Sequence, residues 1–396
     1  MTSERRISQQ IKTDLAQKMV LLSGPRQCGK TTLAEGLLSK EGIYYSWDSS
    51  KDRKAIQNSQ LDETKKLWVF DELHKYRKWR NWLKGVFDLH RKDHQILVTG
   101  SAKLNVYSRG GDSLQGRYFP HRLHPFTLSE ILGTRTQDYF SSIVSPERQT
   151  DEQAATQVLN QLLLLGGFPE PFLSGSAQAA GRWRLGYGQR LIEEEVRTLE
   201  MVQQIDSLEL LFDRLGEVVG NLLSINRLRL DMEIAHQTVA KWIQIFDRLY
   251  VSFQIPPWGP PRIRAVKKEQ KLYLWDWARV DLAGARLENL VALHLLRLTH
   301  WLEDVVGEEI ELRYFKDIDG HEVDFILLRK RQPWIAIEVK SSEQVLDRNL
   351  EYLLERVHIP YAFQLHLKGE KDYRVKDIGK SRVRVMPLVR FLQNLP

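Results

Sequence analysis

The sequence predicts an α/β protein of several domains. The first third alternates short apolar runs with helical patterns, and a glycine-containing phosphate-loop pattern directly follows the first run. A chain of 396 residues also exceeds what one ordinary core holds. The apolar runs lie at 18–22, 42–45, 67–70 and 95–99 and read as buried parallel strands joined by helices.

The hydrophobic fraction of 42% and the charged fraction of 28% are ordinary for a folded chain. Cys28 is the single cysteine, which excludes an intramolecular disulfide and a zinc knuckle. The first residues lack an apolar signal-like region, and no stretch approaches the roughly 20 apolar residues that span a bilayer. A cytoplasmic protein is therefore expected. The net charge of +7, with an isoelectric point near 9.2, suits a polyanionic partner and equally a lysine- and arginine-rich solvated surface.

Gly24, Pro25, Arg26, Gln27, Cys28, Gly29, Lys30, Thr31 and Thr32 follow the first strand and open a helix. Such a turn lets backbone N–H groups converge on phosphate oxygens, with Lys30 reaching the β- and γ-phosphates of ATP and Thr31 placing its hydroxyl on Mg²⁺. The run L-W-V-F-D-E then ends a strand in two carboxylates, suiting Asp71 as a Mg²⁺ partner and Glu72 as the base that polarises water. Hydrolysis of ATP is the expected chemistry; a solvated strand-end pair is the plain alternative. Thr99, ending the run at 95–99, is the candidate γ-phosphate sensor. Arg117 is a candidate arginine finger acting on a neighbouring subunit's nucleotide, with Arg109 nearby, and surface arginine is the alternative for each.

The region 151–200 is helical in pattern and broken by Gly166-Gly167-Phe168-Pro169, which suggests a helical lid. Further on, a short helix and turn at 228–234 precede a helix with Val239, Trp242, Ile243, Phe246 and Leu249 on its apolar face. Gln237, Lys241 and Gln244 occupy its other face and suit the major groove or the phosphates of DNA. Arg262, Arg264, Lys267, Lys268 and Lys271 then form a basic ribbon like a wing. Any amphipathic helix has a polar face, however, and such modules also bind proteins. The basic segment at 75–80 reads as a solvated helix start.

After a proline-rich loop at 255–261, a helix begins near Leu282 and strands near Ile310, with Asp319-Gly320 as a hairpin turn. Strand period two puts Glu338 and Lys340 of W-I-A-I-E-V-K on one face, and an adjacent antiparallel strand can present Asp324 to them. Asp324 and Glu338 would hold Mg²⁺ through oxygen, and Lys340 would orient water and offset phosphate charge. Asp317 and His321 read as turn residues.

The segments G-P-R-Q-C-G-K-T-T-L, V-F-D-E-L, V-T-G-S-A, S-L-Q-G-R-Y, H-P-F-T-L-S-E and G-G-F-P-E resemble a widespread prokaryotic AAA+ ATPase family. The resemblance implies a P-loop AAA+ domain with helical lid at 1–204, with strand order 5-1-4-3-2. It implies a winged helix at 205–281 and a restriction-endonuclease-like PD-(D/E)xK domain at 282–396, where Glu288 matches that fold's supporting acid. It also implies a homo-oligomer such as a hexameric ring. Cys28 stands where the family usually has valine; a backbone N–H makes the phosphate contact there. The expected function is ATP-driven remodelling or translocation of DNA, with an attached metal-dependent nuclease. The alternatives are an ATP-switched regulatory or defence protein with an inert nuclease-like domain, and a P-loop kinase acting on a small substrate.

Overall fold

The computed structural model describes residues 5–101, 114–136, 138–196, 204–259 and 269–396. Arg109, Arg262, Arg264, Lys267 and Lys268 lie outside the described residues. The chain divides into two compact units, Met1–Pro125 with Arg248–Tyr250, and Phe126–Asp247 with Val251–Pro396. The boundaries expected at 204/205 and 281/282 therefore both fall within the second unit's span.

In the first unit, α1 (Ser8–Leu15) precedes β1 (Met19–Ser23), α2 (Lys30–Leu37), β2 (Gly42–Ser46), α3 (Ser50–Gln57), β3 (Leu67–Asp71), α4 (Trp79–His90), β4 (Gln95–Gly100) and β5 (Tyr118–Arg122). The strands pair in parallel in the order β2-β3-β4-β1-β5, which read from the other edge is the expected 5-1-4-3-2. Strands β1 and β3 are buried at every position, because parallel sheets are covered on both faces. Trp68, Phe70, Ile96 and Val98 meet Leu83, Val86 and Phe87 of α4 in one cluster. Strand β5 had no separate apolar signal: among the described residues it pairs with β1 alone, so Pro120 sits on an edge where its missing N–H costs nothing.

The second unit begins with α5 (Leu128–Leu132), α6 (Tyr139–Val144), α7 (Glu152–Leu165), α8 (Pro169–Ser174) and α9 (Ala177–Arg190). It continues through α10 (Ile205–Val218), α11 (Ile225–Met232), α12 (His236–Arg248), β6 (Ser252–Ile255), β7 (Lys271–Leu274) and α13 (Ala283–Trp301). The final run is β8 (Ile310–Lys316), β9 (Glu322–Arg329), β10 (Gln332–Ser342), α14 (Arg348–Arg356), β11 (Tyr361–Lys368), β12 (Tyr373–Arg374), β13 (Arg382–Pro387) and α15 (Leu388–Leu392). Its six-stranded sheet has the order β12-β13-β11-β10-β9-β8, and β6 and β7 form a separate antiparallel pair.

The segment expected as a lid is tied to the C-terminal residues. Gln393 Oε1 accepts from Thr150 N at 3.0 Å, Arg390 reaches Glu152 at 2.9 Å, and Arg297 on α13 meets Glu130 on α5 at 3.1 Å with both side chains buried. Gly166 ends α7 at φ 83°, and Pro169 starts α8 where its lack of an N–H is harmless. Helix α12 buries Val239, Trp242, Ile243 and Phe246 and exposes Gln237, Lys241 and Gln244.

Candidate functional sites

The loop after β1 is shaped by its glycines. A Cβ on Gly24 would lie 2.3 Å from Leu123 O, so only glycine lets β1 turn there beside the chain leaving β5. Gly29 adopts φ 96°, a left-handed conformation that precedes α2 without side-chain strain. Arg5 donates to the carbonyls of Cys28 at 2.8 Å and His124 at 2.5 Å, fixing the loop from below. Buried Lys30 begins α2 and donates from Nζ to Gly24 O at 2.9 Å and Pro25 O at 2.8 Å. Pro25 and Cys28 are buried, Arg26 and Gln27 half-buried, and Thr31 and Thr32 exposed.

Asp71 ends β3 and collects hydroxyls from both neighbouring strands. Thr99 on β4 donates to its Oδ1, and Tyr44 on β2 donates to Oδ2 at 2.5 Å. Tyr44 thus ties β2 to the strand-end carboxylate of β3. Burial, followed by the bond to Asp71, pushes the Tyr44 hydroxyl far above the usual tyrosine range, and it stays a donor at neutral pH. Glu72, the next residue, adopts φ 53° and accepts from Ser101 Oγ at 3.0 Å, with His74 Nδ1 3.3 Å away. Arg117 forms a two-pronged pair with Asp88 at 2.8 and 3.0 Å. Tyr250 donates to Ser23 Oγ at 2.8 Å, just before the loop.

A second cluster lies in the second unit where β9 and β10 part. Their antiparallel ladder runs to Ile337 opposite Phe325; beyond it the carboxylates take over from the carbonyls. Val339 N donates to Asp324 Oδ2 at 2.8 Å, and Asp324 N donates to Glu338 Oε2 at 3.3 Å. Lys340 Nζ bridges Glu338 at 2.7 Å and Asp347 at 2.6 Å. Burial, then the charges of Glu338 and Glu288, raise the Asp324 carboxyl well above its usual range. Burial also raises Glu338, against the pull of Lys340.

Glu288 joins this cluster from α13, and its Oε1 accepts from Tyr273 Oη at 2.6 Å and Lys271 Nζ at 3.1 Å, both on β7. Lys271 also meets Glu322 at 2.6 Å. The sequence had set Lys271 in an exposed basic ribbon; its side chain is instead buried, because carboxylates on α13 and β9 compensate its charge. His321 and Asp317 bond each other at 2.9 Å in the β8–β9 turn, where Gly320 takes φ 92°, as read for turn residues. Among the described residues, no group of three or more His, Cys, Asp or Glu is arranged to hold a metal ion.

Residues 16–132 match a family model described as an AAA domain. The chain carries an AAA domain there, and nucleotide binding goes with it. Two further models, each described only as a domain of unknown function, match residues 156–281 and 283–391. Uncharacterized proteins of Mycobacterium bovis and Mycobacterium tuberculosis are each 23% identical over 349 residues, covering 82% of this chain and 73% of the relative. The Hsp104–ADP complex of S. cerevisiae aligns with a TM-score of 0.29 at 15% identity over 61% of this chain, which spans 39% of the Hsp104 chain. PCH-2 of C. elegans aligns with a TM-score of 0.25 at 16% identity, over 46% of this chain and 66% of that one. No described helix is long and apolar enough to cross a membrane.

Sequence reading missed Tyr44 and Ser101 within the AAA domain, and Arg5 and Tyr250 outside its matched residues. Tyr44 lay in an apolar run and read as core, and its partner Asp71 is 27 residues away. Ser101 was legible in principle, since it follows directly on the strand that carries Thr99.

Proposed function

We propose that the chain hydrolyses ATP in its AAA domain and uses the turnover to act on DNA. The observation carrying this reading is the hydrogen-bonded unit of Tyr44, Asp71 and Thr99 across β2, β3 and β4, in the same sheet whose β1 leads into the loop that carries Lys30. The Thr31 hydroxyl and the Asp71 carboxylate are hard oxygen donors, and this donor set fits Mg²⁺. Mg²⁺, when bound, neutralises charge on the β- and γ-phosphates. Lys30 binds the same phosphates through its ammonium, exchanging its bonds to Gly24 and Pro25 carbonyls for phosphate oxygens. Tyr44 and Thr99 hold Asp71 in one orientation. Glu72, oriented by Ser101, accepts the proton of the attacking water. Arg117 would serve as a finger in a homo-oligomer after giving up its pair with Asp88.

Support for DNA as the partner comes from α11 and α12, a helix–turn–helix followed by the β6–β7 pair, the element order of a winged helix. Gln237, Lys241 and Gln244 project from α12 as hydrogen-bonding and cationic groups. ATPase assays with single-stranded, duplex, forked and four-way DNA test the reading. Stimulation by any of these supports it; a rate indifferent to all four removes DNA from the function and leaves the ATPase.

A second reading is favoured by Lys271. In it the protein is an ATP-switched regulatory or defence factor whose nuclease-like domain is catalytically inert. The ammonium already bonded to Glu288 and Glu322 fits poorly with a divalent cation in the same cluster. Cleavage of any DNA form with Mg²⁺ or Mn²⁺, abolished by Asp324→Ala, would instead make Asp324, Glu338 and Lys340 an active nuclease site.

A further inference from the structure

Lys271 reaches the acid cluster from β7, a strand outside the six-stranded sheet that carries Asp324 and Glu338. Its register is locked by Asn289 on α13, whose amide donates to Leu274 O at 2.7 Å and accepts from Leu274 N at 2.8 Å. The lysine side chain is 1% exposed, and its Nζ lies 3.1 Å from Glu288 Oε1, 2.6 Å from Glu322 Oε1 and 5.5 Å from the centre of the Tyr314 ring. A buried ammonium without compensation is costly by several kcal/mol, roughly, and here two carboxylates and an aromatic face supply it. Against its burial, the charges of Glu288, Asp324 and Glu322 hold Lys271 protonated, above the usual lysine range.

The rest of the cluster is satisfied in the same internal way. Glu338 gives one oxygen to Lys340 and the other to the Asp324 amide; Asp324 gives Oδ2 to the Val339 amide; Glu288 gives Oε1 to both Lys271 and Tyr273. A divalent cation shared by Glu288 and Asp324 would sit beside a resident positive charge.

We propose that Lys271 is the built-in counter-ion of this cluster: its ammonium takes up the carboxylate charge that a divalent metal would otherwise neutralise. The parent chain then has no divalent-cation site here, and removing the lysine creates one. The proposal rests on the reading of the domain as nuclease-like but inert. Asp324-dependent DNA cleavage would sink that reading, whereas the proposal is decided by metal binding alone.

The test is Mn²⁺ binding to the full chain without nucleotide, read from the paramagnetic resonance signal of free Mn²⁺. Five proteins are compared: parent, Asp324→Asn, Lys271→Met, the double variant of these two, and Lys271→Arg. Asp324→Asn should leave the parent's Mn²⁺ binding unchanged. Lys271→Met should gain roughly one Mn²⁺ per chain at an affinity at least about tenfold above the parent's, since a contact-distance repulsion is gone. The double variant should lose that gain, and Lys271→Arg should never show it. A parent site that Asp324→Asn removes overturns the proposal, as does a folded Lys271→Met protein that binds no more than the parent. Should Lys271→Met fail to fold, parent against Asp324→Asn still decides: an unchanged isotherm supports the counter-ion, and a lost site refutes it.

Discussion

Ser101 Oγ donates to Glu72 Oε2 at 3.0 Å, joining the end of β4 to the residue that follows β3. The bond holds the carboxylate in one orientation at the end of β3 rather than leaving it to sweep solvent. Substitutions here should separate binding from chemistry. Lys30→Ala removes the phosphate-binding cation and should abolish tight ATP binding. Glu72→Gln keeps the side chain's size and the Ser101 contact, so it should retain nucleotide while lowering kcat about 100-fold or more. Equilibrium nucleotide binding and steady-state turnover check both, and near-normal kcat in Glu72→Gln would remove Glu72 from the mechanism.

Tyr44 is expected to matter through Asp71. Tyr44→Phe deletes the donor to Asp71 while keeping the ring, so kcat should fall about tenfold, the scale of one charge-assisted hydrogen bond. Thermal stability should change little. A lowered melting temperature with unchanged kcat would mark Tyr44 as core packing only.

On α12, changing Gln237, Lys241 and Gln244 together to alanine should weaken DNA binding by about tenfold and reduce the salt slope by about 1, because Lys241 alone contributes a releasable counter-ion. The side chains are exposed, so the helix should survive. Fluorescence anisotropy over a salt series provides the measurement; an unchanged slope would move the DNA path elsewhere.

His294 makes the second unit sensitive to acid. Its Nε2 accepts from Leu128 N at 3.2 Å and its Nδ1 bonds Leu290 O at 2.8 Å, a pattern that requires the neutral ring. Burial first, with Arg297 adding to it, pushes the imidazole down to about 4. Because the folded value lies below the unfolded one, His294 leaves stability intact above about pH 6.5 and erodes it as pH falls toward 4, by up to about 3 kcal/mol. Urea unfolding at pH 7.5 and pH 5 should show a shallower pH dependence in His294→Gln than in the parent.

Arg297 and Glu130 form a buried pair at 3.1 Å between α13 and α5. Arg297→Met should destabilise the second unit by about 3 kcal/mol, since one partner's charge remains buried. Urea denaturation measures the loss, while ATP binding by the AAA domain should persist. A change below about 0.5 kcal/mol would place this pair among the weak surface-type bridges.

Strands β1, β3 and β4 were legible because burial on both faces leaves continuous apolar runs, β2 from its short run Ile43-Tyr44-Tyr45 although it is a half-buried edge, and the loop at 24–31 because its residue types are fixed by phosphate geometry. The apolar face of α12 was legible from its helical spacing. Strand β5 was not, since its edge position tolerates Pro120 and its one buried residue is His121, paired with Asp14 at 2.7 Å, so no hydrophobic run marks it. Lys271 was misread for a different reason: a lysine's burial depends on carboxylates elsewhere in the chain, and local sequence does not show whether Glu288 and Glu322 will meet it. The ties between Thr150 and Gln393, separated by 243 positions, were equally invisible to local periodicity.

Cys28 gives the chain a reporter of its own. It is the single thiol in the sequence, it is fully buried behind the phosphate loop, and burial raises its pKa so that little thiolate forms. With Arg5 holding its carbonyl, the sulfur can meet a maleimide only when the loop lets go. Alkylation therefore times the opening of the nucleotide cradle directly, without an introduced label, and its slowing by ATP would convert loop closure into a measurable half-life.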